Sequence, residues 1–202
     1  DFKQVYKNKR FLGMTLALPM VSMPLMLWIA LSPVILVEEL GFSSMQYGLA
    51  QFPVLGGLIL GNIVLIKIID KLALGKSVLI GLPVMLLGTV VLIAGVIWTD
   101  YLIWCLIAGM TLISFGEGIS FSVLYRFALM SSEVSKGTVA AAVSMLLMFS
   151  FFIIIELVRL MYEQYHLWAY SVACFVLIAL WFSFPRSMLK QILKERVEQG
   201  RF

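Results

Sequence analysis

The chain has 202 residues, of which 62% are hydrophobic and only 13% charged. So apolar a composition excludes an ordinary soluble domain. The formal net charge of +4 is spread over connections and a tail rather than gathered into the basic face that nucleic acid requires. One His and two Cys, none of them clustered, argue against a metal site. Cys105 and Cys174 both fall inside apolar stretches, where a disulfide is not expected.

Six apolar stretches are predicted to be membrane-spanning helices: residues 11–37, 47–66, 77–98, 101–130, 137–160 and 167–184. A helix needs about 20 apolar residues to cross about 30 Å of hydrocarbon, which each meets or nearly meets. Fourteen of the 15 Lys and Arg residues sort to one side of these spans, and Arg159 alone falls on the other. That bias predicts both ends in the cytoplasm of a multi-pass inner-membrane protein. The expected organisation is a linker end over 1–10, a six-helix unit over 11–185 and a basic tail over 186–202. The tail is either a short interfacial helix or a solvated terminus. The chain opens on Asp1 without an initiator Met and is expected to be part of something longer.

The first span carries Pro19, Pro24 and Pro33, each removing a backbone donor and inviting a bend. Gly57 and Gly61, and Ala140 and Ser144, have the small-xxx-small spacing that lets helices approach closely. Gly81, Gly88 and Gly95 recur every seven residues along one face of the third span. Span lengths and loop polarity fit two three-helix groups, the arrangement an inverted repeat would have.

Ionisable residues at membrane depth are costly, and few are present. Glu117, between Gly116 and Gly118, is predicted near the middle of the fourth span, facing the bundle interior or a water-filled cavity. It fits a group that exchanges a proton for a cationic substrate, or a neutral acid in an interhelical hydrogen bond. Glu156 and Arg159, three apart on the fifth span, share a face and read as a local ion pair, or as gating or substrate contacts. Arg126 lies about 13 Å along the helix from Glu117, near the inner interface, where snorkelling is the plain reading. Asn62 reads as glue between helices and His166 as an interface residue. Plentiful Met and aromatic residues fit either ordinary core packing or an adaptable apolar pocket. No nucleophile–His–acid set and no phosphate-binding loop occurs, so neither an enzyme nor a cofactor is expected.

At several of these residues the chain resembles a known family. The run Leu25-Met26-Leu27-Trp28-Ile29-Ala30-Leu31-Ser32-Pro33 after Pro24 carries the resemblance, with Tyr47-Gly48-Leu49 running on to Gly61-Asn62. Further on it rests on Phe115-Gly116-Glu117-Gly118 and Ser135-Lys136-Gly137-Thr138-Val139. Over nearly its whole length the chain is similar to the C-terminal six-helix half of an MdfA-type multidrug/proton antiporter of the major facilitator superfamily. The resemblance implies an all-α membrane protein, one half of a twelve-helix fold. It further implies a secondary transporter that exports amphipathic drugs in exchange for protons and confers antibiotic resistance. A carrier of sugars or other small metabolites on the same fold is the alternative, and a non-transporting membrane scaffold is a third reading. The implied partners are lipophilic drug-like molecules, protons, an N-terminal six-helix half and membrane lipids.

By the same resemblance Leu25, Met26 and Ile29 wall a central cavity, with Tyr47, Gln51, Met148 and Phe151 nearby. Arg126 and Glu156 match charged positions of the family pattern. Asp70-Lys71 and Gly75-Lys76 are similar to a degenerate copy of its cytoplasmic loop motif, or form a solvated loop. Glu117 departs from the pattern, which has an apolar residue there. It is either an additional substrate, cation or proton site or a sign of a different substrate range.

Overall fold

The computed structural model describes residues 2–69, 76–132 and 134–183. Helices follow in chain order: α1 (Phe2–Lys7), α2 (Lys9–Ser32), α3 (Ser44–Ile69), α4 (Lys76–Ile97), α5 (Leu102–Leu129), α6 (Lys136–Tyr165) and α7 (Leu167–Ser183). The six predicted spans fall on α2 to α7. The segments containing α2 to α6 are long and apolar enough to cross a membrane, while α7 is apolar over a shorter described length. Asp70, Lys71 and Gly75 of the predicted loop motif, and the predicted tail, lie outside the described residues; Lys76 opens α4.

The predicted first span is not one uniform helix. At Pro33 the α-helix gives way to a π-helical segment, Pro33–Glu39. Proline has no N–H to close an α-helical bond, and the ladder widens beyond it, so that Leu40 N–H donates to Ile35 O at 3.1 Å, five residues back. Gly41 then adopts φ +69°, a left-handed conformation that glycine tolerates, and releases the chain toward α3. Ser43 starts α3 as a reciprocal cap. Its Oγ accepts from Gln46 N–H at 3.3 Å, and Gln46 Oε1 accepts from Ser43 N–H at 2.8 Å.

Packing divides the bundle by role. Helix α5 packs on α3 and α4; α2 packs on α6 and α7; α2 also meets α5, and α4 meets α7. Exchanging α2–α4 for α5–α7 leaves that set of pairings unchanged, as an inverted repeat of three-helix groups requires. The apolar window of the first span is 61% buried and that of α5 50%, whereas α3 and α6 are each only 22% buried. Large apolar side chains, including Phe52, Ile59 and Ile66 on α3 and Met148, Phe149 and Phe152 on α6, therefore remain exposed.

The predicted glycine faces pack, and both press on α5. A Cβ on Gly61 would strike Phe115 O and approach Gly118 Cα to 3.1 Å, and one on Gly118 would strike Leu58 O. Across the other flank a Cβ on Gly81 would lie 2.6 Å from Gly116 O, and one on Gly88 2.7 Å from Gly109 O. Helix α5 is thus held between two neighbours by glycine contacts on opposite sides. The predicted Ala140–Ser144 pair differs, because Ala140 is only partly buried and Ser144 is exposed.

At the basic end, Asn8 joins three elements. Its Oδ1 accepts from Phe11 N–H at 3.3 Å, capping α2, and its Nδ2 donates to Ser131 O at 2.9 Å in the α5–α6 connection. Val5 of α1 is fully buried beside it. Replacing Asn8 with Ala removes a cap and a tertiary hydrogen bond, together about 1–2 kcal/mol. The expected result is a Tm lowered by a few degrees in detergent, with Asn8→Asp recovering only the capping part.

Candidate substrate-lining face

Two hydrogen bonds tie α2 to α3 in antiparallel register. Trp28 Nε1 donates to Gln51 Oε1 at 2.8 Å, and one turn further along α2 the Ser32 and Tyr47 hydroxyls lie 3.2 Å apart. Helical spacing of four residues on both helices puts each pair one turn from the other. Trp28 is fully buried. Its ring lies 6.4 Å from that of Tyr170 on α7, and Tyr170 Oη contacts Met110 Sδ on α5 at 2.8 Å. A relay of aromatic and polar contacts therefore crosses the bundle from α3 through α2 and α7 to α5. Gln51 Nε2 is buried and has no hydrogen-bond partner, leaving an amide donor unused.

This geometry fixes the consequence of losing Gln51. In Gln51→Leu the Trp28 N–H keeps its burial and loses its acceptor, which costs about 1–3 kcal/mol. Gln51→Glu keeps an acceptor at the same place. Thermal unfolding is expected to show a clear loss of stability for the first variant and a smaller one for the second.

The residues expected to wall a cavity separate by exposure. Leu25 is packed in the core, Met26 and Phe151 are partly buried, and Ile29 and Met148 are open at 52% and 63%. Tyr47 and Gln51 are partly buried. Tyr47 and Gln51 are brought together with Trp28 and Ser32 by hydrogen bonds. Among the described residues no hydrogen bond joins these to Met148 or Phe151 on α6.

Glu117 is only 5% exposed, and its Oε2 has no hydrogen-bond partner. Ser114 Oγ and Ser120 Oγ, within one turn of it on either side, are also buried and unpartnered. Met110, Ser114 and Glu117 follow one another at four- and three-residue intervals and so share a face of α5, the face whose Met110 meets Tyr170. A carboxylate in such a place can hold a proton, or a cation that enters the bundle.

The other charged candidates sit elsewhere. Arg126 and Lys136 border a cleft of about 630 Å³ between the end of α5 and the start of α6, with Met130, Ser132 and Val134 among its walls. Glu156 binds Arg159 through both oxygens, at 2.6 and 3.1 Å, and Arg159 also donates to Glu163 at 2.9 Å. This exposed ladder compensates the Arg159 charge locally with two carboxylates and keeps a net negative charge. At the same end of the bundle, Tyr162 Oη donates to Glu39 Oε2 at 2.8 Å and His166 Nδ1 lies 3.3 Å from Glu39 Oε1. Sequence reading missed that last cluster. Its members lie 123 and 127 residues apart, and nothing local in the sequence joins them.

Helices α2 to α7, paired alike in two three-helix groups, form an all-α membrane unit whose architecture is consistent with one half of a major facilitator fold. Among proteins of known name, the chain is 73% identical over 199 residues to the chloramphenicol resistance protein CraA of Acinetobacter baumannii, covering 98% of this chain and 48% of that protein. It is 38% identical over 162 residues to the multidrug transporter MdfA of Yersinia pestis, covering 80% and 40%, and 40% identical over 156 residues to MdfA of Edwardsiella piscicida, covering 77% and 38%. The chain therefore spans about half the length or less of the curated relatives it matches, and the resemblance to MdfA-type transporters read from its sequence is borne out. No family model matches the chain.

Proposed function

We propose that this chain is one six-helix half of a proton-driven drug exporter. The observation that carries this reading is the 73% identity to a chloramphenicol resistance protein along 98% of the chain. On this reading a second six-helix half covers the apolar faces of α3 and α6, and amphipathic drugs bind between the halves. Rocking of one half against the other gives alternating access across the inner membrane, with the Lys- and Arg-rich ends in the cytoplasm. Tyr47, Gln51, Met26, Ile29, Met148 and Phe151 line the drug path. Glu117, unpaired and buried, takes a proton or the positive charge of a cationic drug. Each ligand shifts the equilibrium between facing states only by its difference in affinity for them. Arg126, Glu156 and the loop carrying Asp70, Lys71, Gly75 and Lys76 set the charge pattern at the two ends.

Expression of the full-length protein in a host stripped of its own drug pumps tests this directly. Chloramphenicol resistance raised at least about four-fold is the expected result. Unchanged susceptibility to chloramphenicol and to lipophilic cations would remove the drug reading and leave a metabolite carrier in its place.

A further inference from the structure

The end of the bundle remote from the Lys- and Arg-rich connections holds an assembly outside the residues of the proposed drug path. The π-helical segment Pro33–Glu39 ends there, and both oxygens of Glu39 are engaged by the α6–α7 corner. Tyr162 Oη donates to Oε2 at 2.8 Å, and His166 Nδ1 faces Oε1 at 3.3 Å. The Tyr162 and His166 rings meet edge to face at 6.1 Å and 79°. His166 caps α6, its N–H donating to Tyr162 O at 2.8 Å, and it does so at φ +46°. A side chain other than glycine held there is strained, and such strain persists only where surrounding contacts enforce it. His166 is the sole histidine of the chain.

On the π-helical segment Glu38 adjoins Glu39 in sequence. On α6, Arg159 is committed to Glu156 and Glu163, which leaves it no share in Glu39. The first turns of α7, from Leu167 onward, carry no charged residue. Among the described residues His166 is therefore the one group at the corner able to offer Glu39 a positive charge, which its imidazole carries only when protonated.

We propose that Glu39, Tyr162 and His166 form a proton-sensitive latch that positions the end of α2. Tyr162 is its constant part, since a phenol donates to the carboxylate throughout the neutral range. His166 is its variable part, because the charged imidazole pairs with Glu39 more strongly than the neutral one. The segment being held is the one whose α-helical ladder breaks at Pro33, a single turn beyond Ile29 of the proposed drug path. With the latch closed, the wall formed by Ile29 and the Ser32–Tyr47 contact keeps its place; with it open, the π-helical segment is free to re-register. The consequence for transport rests on the proposed export function, and under the proposed orientation the latch responds to the pH outside the cell. The latch itself needs no substrate.

Hydrogen–deuterium exchange of the full-length protein, followed at residues 33–43 and corrected for intrinsic rates, tests it. Exposed pairs of this kind shift an opening equilibrium by about two- to five-fold, so protection at pH 5.5 should exceed that at pH 7.5 by that factor. His166→Gln is expected to abolish the difference, His166→Lys to give the acid level of protection at both pH values, and Tyr162→Phe to lower protection at both while keeping the difference. Equal protection at the two pH values in the native protein, or a pH difference surviving in His166→Gln, overturns the latch. Because exchange is read without drug, that failure is separate from any failure of export.

Discussion

Replacing Glu117 with Gln is expected to cut export of a lipophilic cation about ten-fold or more while leaving the protein folded. The argument starts from the cost of the carboxyl group. It is buried, its Oε2 lacks a partner, and the hydroxyls of Ser114 and Ser120 beside it are unpartnered too. Burying a polar group without a partner opposes folding, so this side chain is not what holds α5 in place. Gln has nearly the same shape and carries no titratable proton. Its thermal stability should match or slightly exceed that of the native chain. Hydrogen bonds to charged groups are worth about 1.5–3 kcal/mol, which corresponds to about ten-fold or more in a rate or affinity. A neutral drug does not draw on that charge, so its export should fall by less, about three-fold at most. Efflux of one cationic and one neutral substrate, measured side by side in cells, checks both expectations. Equal loss for the two would assign Glu117 to the proton cycle rather than to drug charge. No loss for either would make it a packing residue.

The second large effect lies in the glycine contacts around α5. Gly118→Leu and Gly61→Leu each drive a side chain into the backbone of the facing helix. The obstructing atoms are Leu58 O for the first and Phe115 O for the second. Backbone cannot rotate aside as a side chain can, so relief requires α3 and α5 to separate. Overpacking in a close-packed interior costs about 1–3 kcal/mol and sometimes more. Here the whole length of a helix pair is levered apart, and the upper end of that range or beyond is expected. The folded yield in size-exclusion chromatography should collapse for both. A leucine at Gly48, where nothing lies within 4 Å of the added Cβ, should leave it nearly intact. Equal yields for all three would mean that α3 and α5 do not approach in this way.

These two expectations differ in how far the sequence announced them. Gly57, Gly61, Gly81 and Gly88 were readable because helical packing in membranes selects small residues at fixed intervals, and the interval is a local property of the chain. The partner they press on was less plain, since Gly109 shows its role only when α4 lies against it. Glu117 stood out because a carboxylate at membrane depth is rare, yet its surroundings of unpartnered serine hydroxyls depend on how α5 is rotated. Prolines foretold a break in the first span, but not that Pro33, rather than Pro19 or Pro24, would be where the α-helix ends. Pro19 and Pro24 sit within a helix that neighbours hold on several sides. Pro33 sits near its end, where the ladder has room to widen. The ties of Trp28 to Gln51, and of Glu39 to Tyr162 and His166, link residues on different helices and depend on rotations about helix axes that hydrophobic periodicity leaves open in spans apolar all round.

The central claim is that this chain works as half of a proton-driven exporter, and one measurement bears on it most directly. Cells expressing the full-length protein are loaded with a fluorescent lipophilic cation, and its efflux is followed before and after a protonophore collapses the proton gradient. The account predicts rapid efflux that stops when the gradient is lost, as the proposed proton-driven export requires. Efflux that continues unchanged after the gradient collapses, or that never exceeds that of cells lacking the protein, would contradict it.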